Sequence, residues 1–263
     1  MSKTKVIAFA NNKGGSGKTT TCSNVACALA MMGKKVLMID GDMQLNLTIS
    51  YFDEDSALSF AEQEKTIYKA IKDELNLSSF IVETKQEGLD LIPSSPLMSG
   101  IEFELVTKWQ REFILKKCLE PVRAKGYYDY ILIDAPPTLG GWVMNVLVAS
   151  DYVIIPVEAS PWGLFGLANL FEFYSKVKQL APNLEIMGIA VTKADERKKY
   201  FKQTLETLKE MEGVRLFENY VRVDSAIEWS QDNSMPVVAF KKSSRSAVEY
   251  TNLTKEILTY VNR

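Results

Sequence analysis

Short unbroken apolar runs recur along this chain, separated by stretches in which apolar residues return every three or four positions. Val6–Ala10, Lys35–Ile39, Leu89–Pro93, Tyr130–Ile133, Tyr152–Pro156 and Ile186–Thr192 are strand-sized and lack the polar alternation of a half-exposed sheet. A strand that is apolar throughout is buried on both faces, so these runs predict a parallel sheet covered by helices on either side. Helical spacing is found over Thr19–Met32, Thr66–Asn76, Gly100–Arg123, Leu164–Leu180, Lys198–Met211 and Ala247–Val261. In the first of these Val25, Ala26, Leu29 and Ala30 share a face, and Gly33 stands where a C′ glycine ends a helix. The predicted fold class is α/β, a doubly wound, mainly parallel sheet with helices on both faces. No low-complexity linker, internal repeat or composition break divides the 263 residues, so residues 1–263 are read as one domain.

Between the first strand and the first helix lies Asn11-Asn12-Lys13-Gly14-Gly15-Ser16-Gly17-Lys18-Thr19-Thr20. Glycines let a backbone approach phosphate oxygens closely, and the helix that follows presents its positive end to them. Strand, glycine loop, Lys18-Thr19, helix and second strand occur in the order that a phosphate-binding loop requires. Asn12 replaces the first glycine of the common G-x-x-x-x-G-K-[ST] pattern, and Lys13 is a lysine beyond what phosphate binding needs. The loop is therefore the variant K-G-G-x-G-K-[ST].

Two acidic segments complete the pattern. Asp40 and Asp42 follow the second strand, and Asp134 ends the strand Ile131-Leu132-Ile133 before Ala135-Pro136-Pro137-Thr138-Leu139-Gly140. Ligands of doubly wound sheets lie beyond the carboxyl ends of the strands, so both Asp40 and Asp42 are expected to face the phosphates. One of them can support Mg²⁺ while the other orients water for in-line attack. Asp134 is placed as a Walker B acid reaching Mg²⁺ or its water. The two prolines make a stiff segment and Gly140-Gly141 a flexible end, which suits a loop that senses the γ-phosphate.

Composition narrows the chemistry. There is no histidine, which excludes histidine general bases and most catalytic zinc sites. Three cysteines, Cys22, Cys27 and Cys118, show no C-x-x-C spacing, and their odd number argues against a disulfide framework; Cys22 and Cys27, five apart on the predicted first helix, read as buried small hydrophobes. A formal net charge of −2 confines any nucleic-acid surface to a local patch. The apolar runs fall far short of the roughly 18 residues of a spanning helix, and a strand begins within a few residues of the N-terminus without a signal peptide. A cytoplasmic protein is expected.

The three signatures together, Lys13-Gly-Gly-Ser-Gly-Lys-Thr, Asp40-x-Asp42-x-Gln44 and Ile133-Asp134-x-Pro-Pro, resemble the ParA/MinD group of deviant-Walker ATPases, and within it the small ParA partition ATPases. The resemblance covers nearly the whole chain. Thr66-Ile-Tyr, Ile81-Val-Glu-Thr, Gly88-Leu-Asp-Leu-Ile-Pro-Ser, Asp151-Tyr-Val-Ile-Ile-Pro-Val, Met235-Pro-Val and Lys242-Ser-Ser-Arg245-Ser are similar to the family's remaining segments. Two departures stand out: Met43 replaces the proline of D-x-D-P-Q, and Leu45-Asn46-Leu47-Thr48 replaces a common "gnat", so a somewhat different first switch loop is expected. The N-terminal helix-turn-helix of longer ParA proteins is missing, which removes that route to operator binding.

The resemblance implies ATP and Mg²⁺ as cofactors and an ATPase reaction. Lys18 with the amides of Gly14, Gly15, Ser16, Gly17, Thr19 and Thr20 would hold the phosphates, with Pro136 near them. Thr19 would sit on Mg²⁺, with Asp40 and Asp134 supporting the metal through its waters. Asp42 would position the attacking water, and Lys13 would reach the nucleotide of a second subunit in an ATP-sandwich homodimer. It further implies non-specific DNA binding and stimulation by a ParB-like centromere-binding adaptor, with nucleoid association in the ATP state. Lys193, Arg197, Lys198, Lys199 and Lys202 form one set of candidate DNA cations, and Lys241, Lys242 and Arg245 another. Arg222 joins them or lies near the base. A MinD-like or cargo-positioning role on a membrane or protein assembly is the alternative. The terminal apolar stripe Val248, Leu253, Ile257, Leu258 and Val261 reads as a core-packed helix, so no stable membrane association is expected.

Overall fold

The computed structural model describes residues 4–160, 162–164, 166–211 and 213–262. In chain order the elements are β1 (Lys5–Phe9), α1 (Lys18–Met31), β2 (Val36–Asp40), α2 (Asn46–Ile49), α3 (Glu54–Glu62), α4 (Ile67–Lys72), β3 (Val82–Glu83) and β4 (Leu89–Ile92). They continue with α5 (Ile101–Val106), α6 (Ile114–Lys125), β5 (Tyr130–Asp134), α7 (Gly141–Val148), β6 (Tyr152–Glu158), α8 (Leu167–Leu180) and β7 (Glu185–Thr192). The last are α9 (Lys199–Lys209), α10 (Ser225–Asp232), α11 (Val237–Phe240) and α12 (Arg245–Val261).

One seven-stranded sheet runs in the order β3-β4-β2-β5-β1-β6-β7. Every neighbouring pair is parallel except β3 with β4, so the doubly wound, mainly parallel sheet predicted from the apolar runs is observed. Alternate residues of each central strand enter opposite layers. Val6, Ala8, Leu37, Ile39, Ile131 and Ile133 pack under α4 to α8. Ile7, Phe9, Val36, Met38, Tyr130 and Leu132 pack under α1, α11 and α12. Leu253 and Ile257 of α12 are fully buried in that second layer and Leu258 and Val261 pack partly buried against it, whereas Val248, read as part of the same core-packed stripe, is exposed near the start of the helix. Truncating Leu253 to alanine costs about 2–5 kcal/mol.

The nine-residue α3 and the eight-residue α10 are absent from the pattern reading, and two further differences bear on the site. The helical stretch over residues 100–123 is divided into α5, a 3₁₀ turn at Arg111–Phe113, and α6. The break falls at Gln110, which takes a left-handed φ of +50°. Asn145 of α7 satisfies the backbone groups that the break releases: its amide donates to the Arg111 carbonyl at 2.7 Å and its oxygen accepts from the Leu115 N–H at 3.1 Å. Such a side-chain substitute for helix hydrogen bonds leaves no trace in periodicity. The second difference is α7, which begins where a flexible glycine pair was expected. Glu102 of α5 accepts from the N–H groups of Gly141 at 2.9 Å and Trp142 at 3.0 Å, so this end of the loop is a capped helix start.

Candidate nucleotide-binding site

The glycine loop joins β1 to α1 and is pinned at both ends. Asn11 donates to the Pro156 carbonyl at 2.7 Å and accepts from the Lys13 N–H at 3.0 Å, tying the loop to β6. Thr192, the last residue of β7, donates its hydroxyl to the Ser16 carbonyl at 2.8 Å. Gly17 has φ +84°, and a Cβ there would stand 3.1 Å from the Thr192 hydroxyl, so both backbone and space require glycine. No side chain caps α1, whose first N–H groups open toward the loop as an anion seat. The Ser16 hydroxyl is buried without a hydrogen-bond partner among the described residues.

Lys18 donates to the Lys13 carbonyl at 3.1 Å, drawing its ammonium back over the loop. Burial lowers its pKa, and the carboxylates of Asp134 and Asp42 oppose that shift. The parallel register sets Asp40 directly beside Asp134 at the carboxyl ends of β2 and β5. Thr19 donates to one Asp134 oxygen at 2.6 Å, while the other oxygen is buried with no partner. Burial first, and then the neighbouring Asp40, push the Asp134 carboxyl well above the ordinary carboxylate range. An orphaned buried carboxylate oxygen beside a threonine hydroxyl suits a hard cation such as Mg²⁺, which takes further ligands from phosphate and water. Among the described residues no group of three or more His, Cys, Asp or Glu side chains converges as a metal site.

Asp40 and Asp42 point differently. The Asp40 side chain is engaged within the protein: one oxygen accepts from the Thr48 N–H at 2.8 Å and hydroxyl at 2.7 Å, the other from the Asp42 N–H at 3.2 Å. Burial pushes its pKa up to about 6 against these hydrogen bonds. The expectation that both acids face the phosphates is therefore corrected: Asp42 lines the groove, whereas Asp40 holds the first turn of α2 beneath it. Leu45, at the position of the family's glycine, has φ +56° and is buried, which explains how α2 starts without glycine. Ser94, after β4, completes the arrangement by donating to the Asp42 carbonyl at 2.7 Å.

These groups line a groove of about 1100 Å³. Gly14 to Thr20, Asp42 and Pro137 line it together with the stretch from Val221 to Asp224 and with Ile227, Glu228, Gln231 and Asp232 of α10. Pro136 is half-buried, while Pro137 and Thr138 are exposed. Lys13 points elsewhere: its ammonium meets Glu158 at 2.7 Å and the Ser160 hydroxyl at 3.2 Å. Lys193, expected among the DNA cations, lines this groove instead.

The other cations separate. Arg222 also lines the groove and is bound by Glu249 at 2.5 Å and Glu196 at 3.0 Å, so its charge is matched locally. Arg197 and Lys198 approach Asp195 at 2.8 and 4.0 Å. Lys199 and Lys202 are exposed on α9. Lys241, Lys242 and Arg245 are exposed around the start of α12, with Arg245 also donating to the Val223 carbonyl.

Comparison with known proteins fits this geometry. A family model described as an AAA domain matches residues 4–186. The sporulation initiation inhibitor protein Soj of Bacillus subtilis is 35% identical over 254 residues, which cover 96% of this chain and 98% of Soj. This chain belongs to the Soj/ParA family of partition ATPases. The chromosome partitioning protein ParA of Caulobacter vibrioides is 31% identical over 256 residues, 97% of this chain and 94% of that protein. A plasmid partition protein of Borrelia burgdorferi bound to AMPPNP superposes with a TM-score of 0.80 at 28% identity, covering 98% of this chain and 99% of that one. Cobyrinic acid a,c-diamide synthase of Mycobacterium smegmatis, bound to ADP and magnesium, gives a TM-score of 0.83 at 26% identity over 98% and 96% of the two chains. Of the signature residues, Gly14 to Thr19, Asp42, Gln44 and Pro137 line the groove, while Lys13, Asp40, Asp134 and Pro136 stand outside its lining. Glu102, Trp142, Thr48, Ser94 and Thr192 support that groove and were not among the candidates. Only Thr192, ending an apolar strand, carried a positional signal.

Proposed function

We propose that this protein is an ATP-driven partition ATPase in which two copies close around two ATP·Mg²⁺, hold DNA non-specifically in that state, and separate when a ParB-like adaptor stimulates hydrolysis. The observation that carries this reading is the division of labour between two lysines. Lys18 lies across its own loop on the Lys13 carbonyl, while the Lys13 ammonium is turned away from the groove to Glu158 and Ser160. A cation turned away from its own loop is available for another molecule's phosphate rather than its own.

In this reading Lys18 and the loop amides hold the phosphates, and Thr19 and Asp134 hold Mg²⁺. When bound, that ion supplies charge neutralisation at the phosphate oxygens. Asp42 orients the attacking water, since the chain has no histidine to do so. Asp40 acts through Thr48 by fixing the segment that presents Asp42. Lys13 from the second copy stabilises charge on the transferred phosphoryl group, and cations supplied in trans contribute about 10³–10⁵ in rate. Lys241, Lys242 and Arg245 form the favoured DNA surface, because their charges are less fully matched than that of Arg222. Contacts of this kind go to phosphate and need no base recognition. Against the membrane alternative, Leu253, Ile257, Leu258 and Val261 of α12 pack in the layer that holds α1, and among the described residues no helix is long and apolar enough to cross a membrane.

Light scattering on the purified protein with magnesium tests the proposal. A dimer in ATP and a monomer in ADP are expected. A monomer in both, with Asp42→Ala also monomeric in ATP, would reject it.

A further inference from the structure

Two lysines flank one carboxylate beside the phosphate loop. Glu158 ends β6 and pairs in register with Thr192, the end of β7, so Lys193 follows directly alongside it. Lys13 meets Glu158 at 2.7 Å, and the two side chains are only 24% and 27% exposed. Lys193 takes a left-handed φ of +50°, rare outside glycine, asparagine and aspartate. Its ammonium reaches the loop closely enough that a Cβ on Gly15 would stand 3.9 Å from it. Burial opposes ionisation of Glu158, yet the hydrogen bond and charge of Lys13 and the charge of Lys193 hold its carboxyl below the ordinary range. The turn is stiff, because the Ser160 N–H bonds back to the Glu158 carbonyl at 2.8 Å and a Cβ on Gly163 would collide with that same oxygen.

We propose that Glu158 is a positioning residue that parks Lys13 on its own subunit, and that Lys193 takes over Glu158 when Lys13 leaves for the second subunit's nucleotide. The inference rests on the trans role of Lys13 given above. A lysine that departs from a partly buried carboxylate leaves that charge stranded unless another cation replaces it. Lys193 is that cation, already within electrostatic reach on the neighbouring strand end. The exchange keeps each charge matched: phosphate receives Lys13, and Glu158 receives Lys193. Parking sets a threshold for dimer formation, since each subunit must release one ion pair. For a pair of this exposure the threshold is about two- to fivefold per subunit, hence about four- to 25-fold for the dimer.

Sedimentation in ATP and magnesium, on the Asp42→Ala background that blocks turnover, reads the dimer dissociation constant. Glu158→Gln is expected to tighten the dimer about four- to 25-fold while leaving ATP affinity unchanged at protein concentrations below dimerisation. Damage to folding would not tighten it. Lys193→Met is expected to weaken the dimer, and in the Glu158→Gln background it is expected to have no effect. An unchanged or weaker dimer in Glu158→Gln overturns the parking role, and an equal loss from Lys193→Met in both backgrounds overturns the exchange. Lys13→Ala separates the two levels. If it dimerises like its parent, the trans role fails and parking fails with it. If it stays monomeric while Glu158→Gln behaves like its parent, parking alone fails.

Discussion

Trp142 donates its indole N–H to the carbonyl oxygen of Gly41 at 2.9 Å, joining the first turn of α7 to the segment that carries Asp40 and Asp42. The indole is 1% exposed, so the Gly41 oxygen has no ready access to water as a substitute. Trp142→Phe should cost about 1–3 kcal/mol for the lost donor, beyond any repacking. Denaturant unfolding measures this. A second effect is expected in adaptor-stimulated turnover, which should fall because the two loops around the phosphates lose their tie. Wild-type stability together with wild-type turnover would dismiss the link.

Asp134 is fully buried with one oxygen unpartnered, a costly way to keep an acid unless something charged uses it. Asp134→Asn should therefore raise the melting temperature of the nucleotide-free protein. The same change should weaken magnesium dependence, with about 10–100-fold more Mg²⁺ needed to saturate ATP binding. Calorimetric titration of magnesium at fixed ATP provides the comparison. A variant that is less stable and binds magnesium normally would assign Asp134 a purely structural role.

Asp42 accepts from the Gln44 N–H at 3.1 Å and lines the groove, so the side chain is held without being consumed. Removing it as Asp42→Ala should slow single-turnover hydrolysis by about 10²–10⁴ while ATP still binds. The ATP-bound state should then persist. Rapid-quench measurement of ATP cleavage decides the matter, and an unchanged rate would exclude a water-orienting role.

Burial pushes the Cys27 thiol up to about 12 and Cys118 up to about 11, and it moves Cys22 well upward too. A raised thiol pKa keeps the reactive thiolate scarce, so at pH 8 all three cysteines should resist alkylation in the native protein. Labelling should appear only with unfolding, and its denaturant dependence should match that of the circular dichroism signal. Rapid native labelling at Cys27 would contradict the burial on which this rests.

Much of this molecule could be read before its structure was known. The apolar strands announced a buried parallel sheet because two-sided burial removes the alternation of half-exposed strands. The glycine loop announced a phosphate seat because β1, Lys18 and α1 are contiguous in sequence. What escaped were partnerships between distant segments. Asp40 was expected to face the phosphates, yet one of its oxygens is bound by Thr48 and the other by the Asp42 N–H, since a carboxylate's nearest donors depend on how the following turn folds. Glu102 lies 39 residues before the helix start that it caps, and no local pattern marks such a reach. Lys193 was grouped with nearby surface cations by composition, whereas the end of β7 delivers it to the groove.

The anchoring of the glycine loop by Asn11 and Thr192 also shapes how ligand energy is distributed. A loop already fastened to two strands loses little freedom when phosphate arrives, so little of the binding free energy is absorbed in ordering it. The remainder is available to shift the Asp42 turn and the Pro136–Gly140 segment, whose other ends rest on α2 and α7. The loop behaves as an anvil and those segments as the hammer. Softening the anvil, for instance through Asn11→Ala, should blunt the distinction between ATP and ADP states more than it weakens either nucleotide's binding.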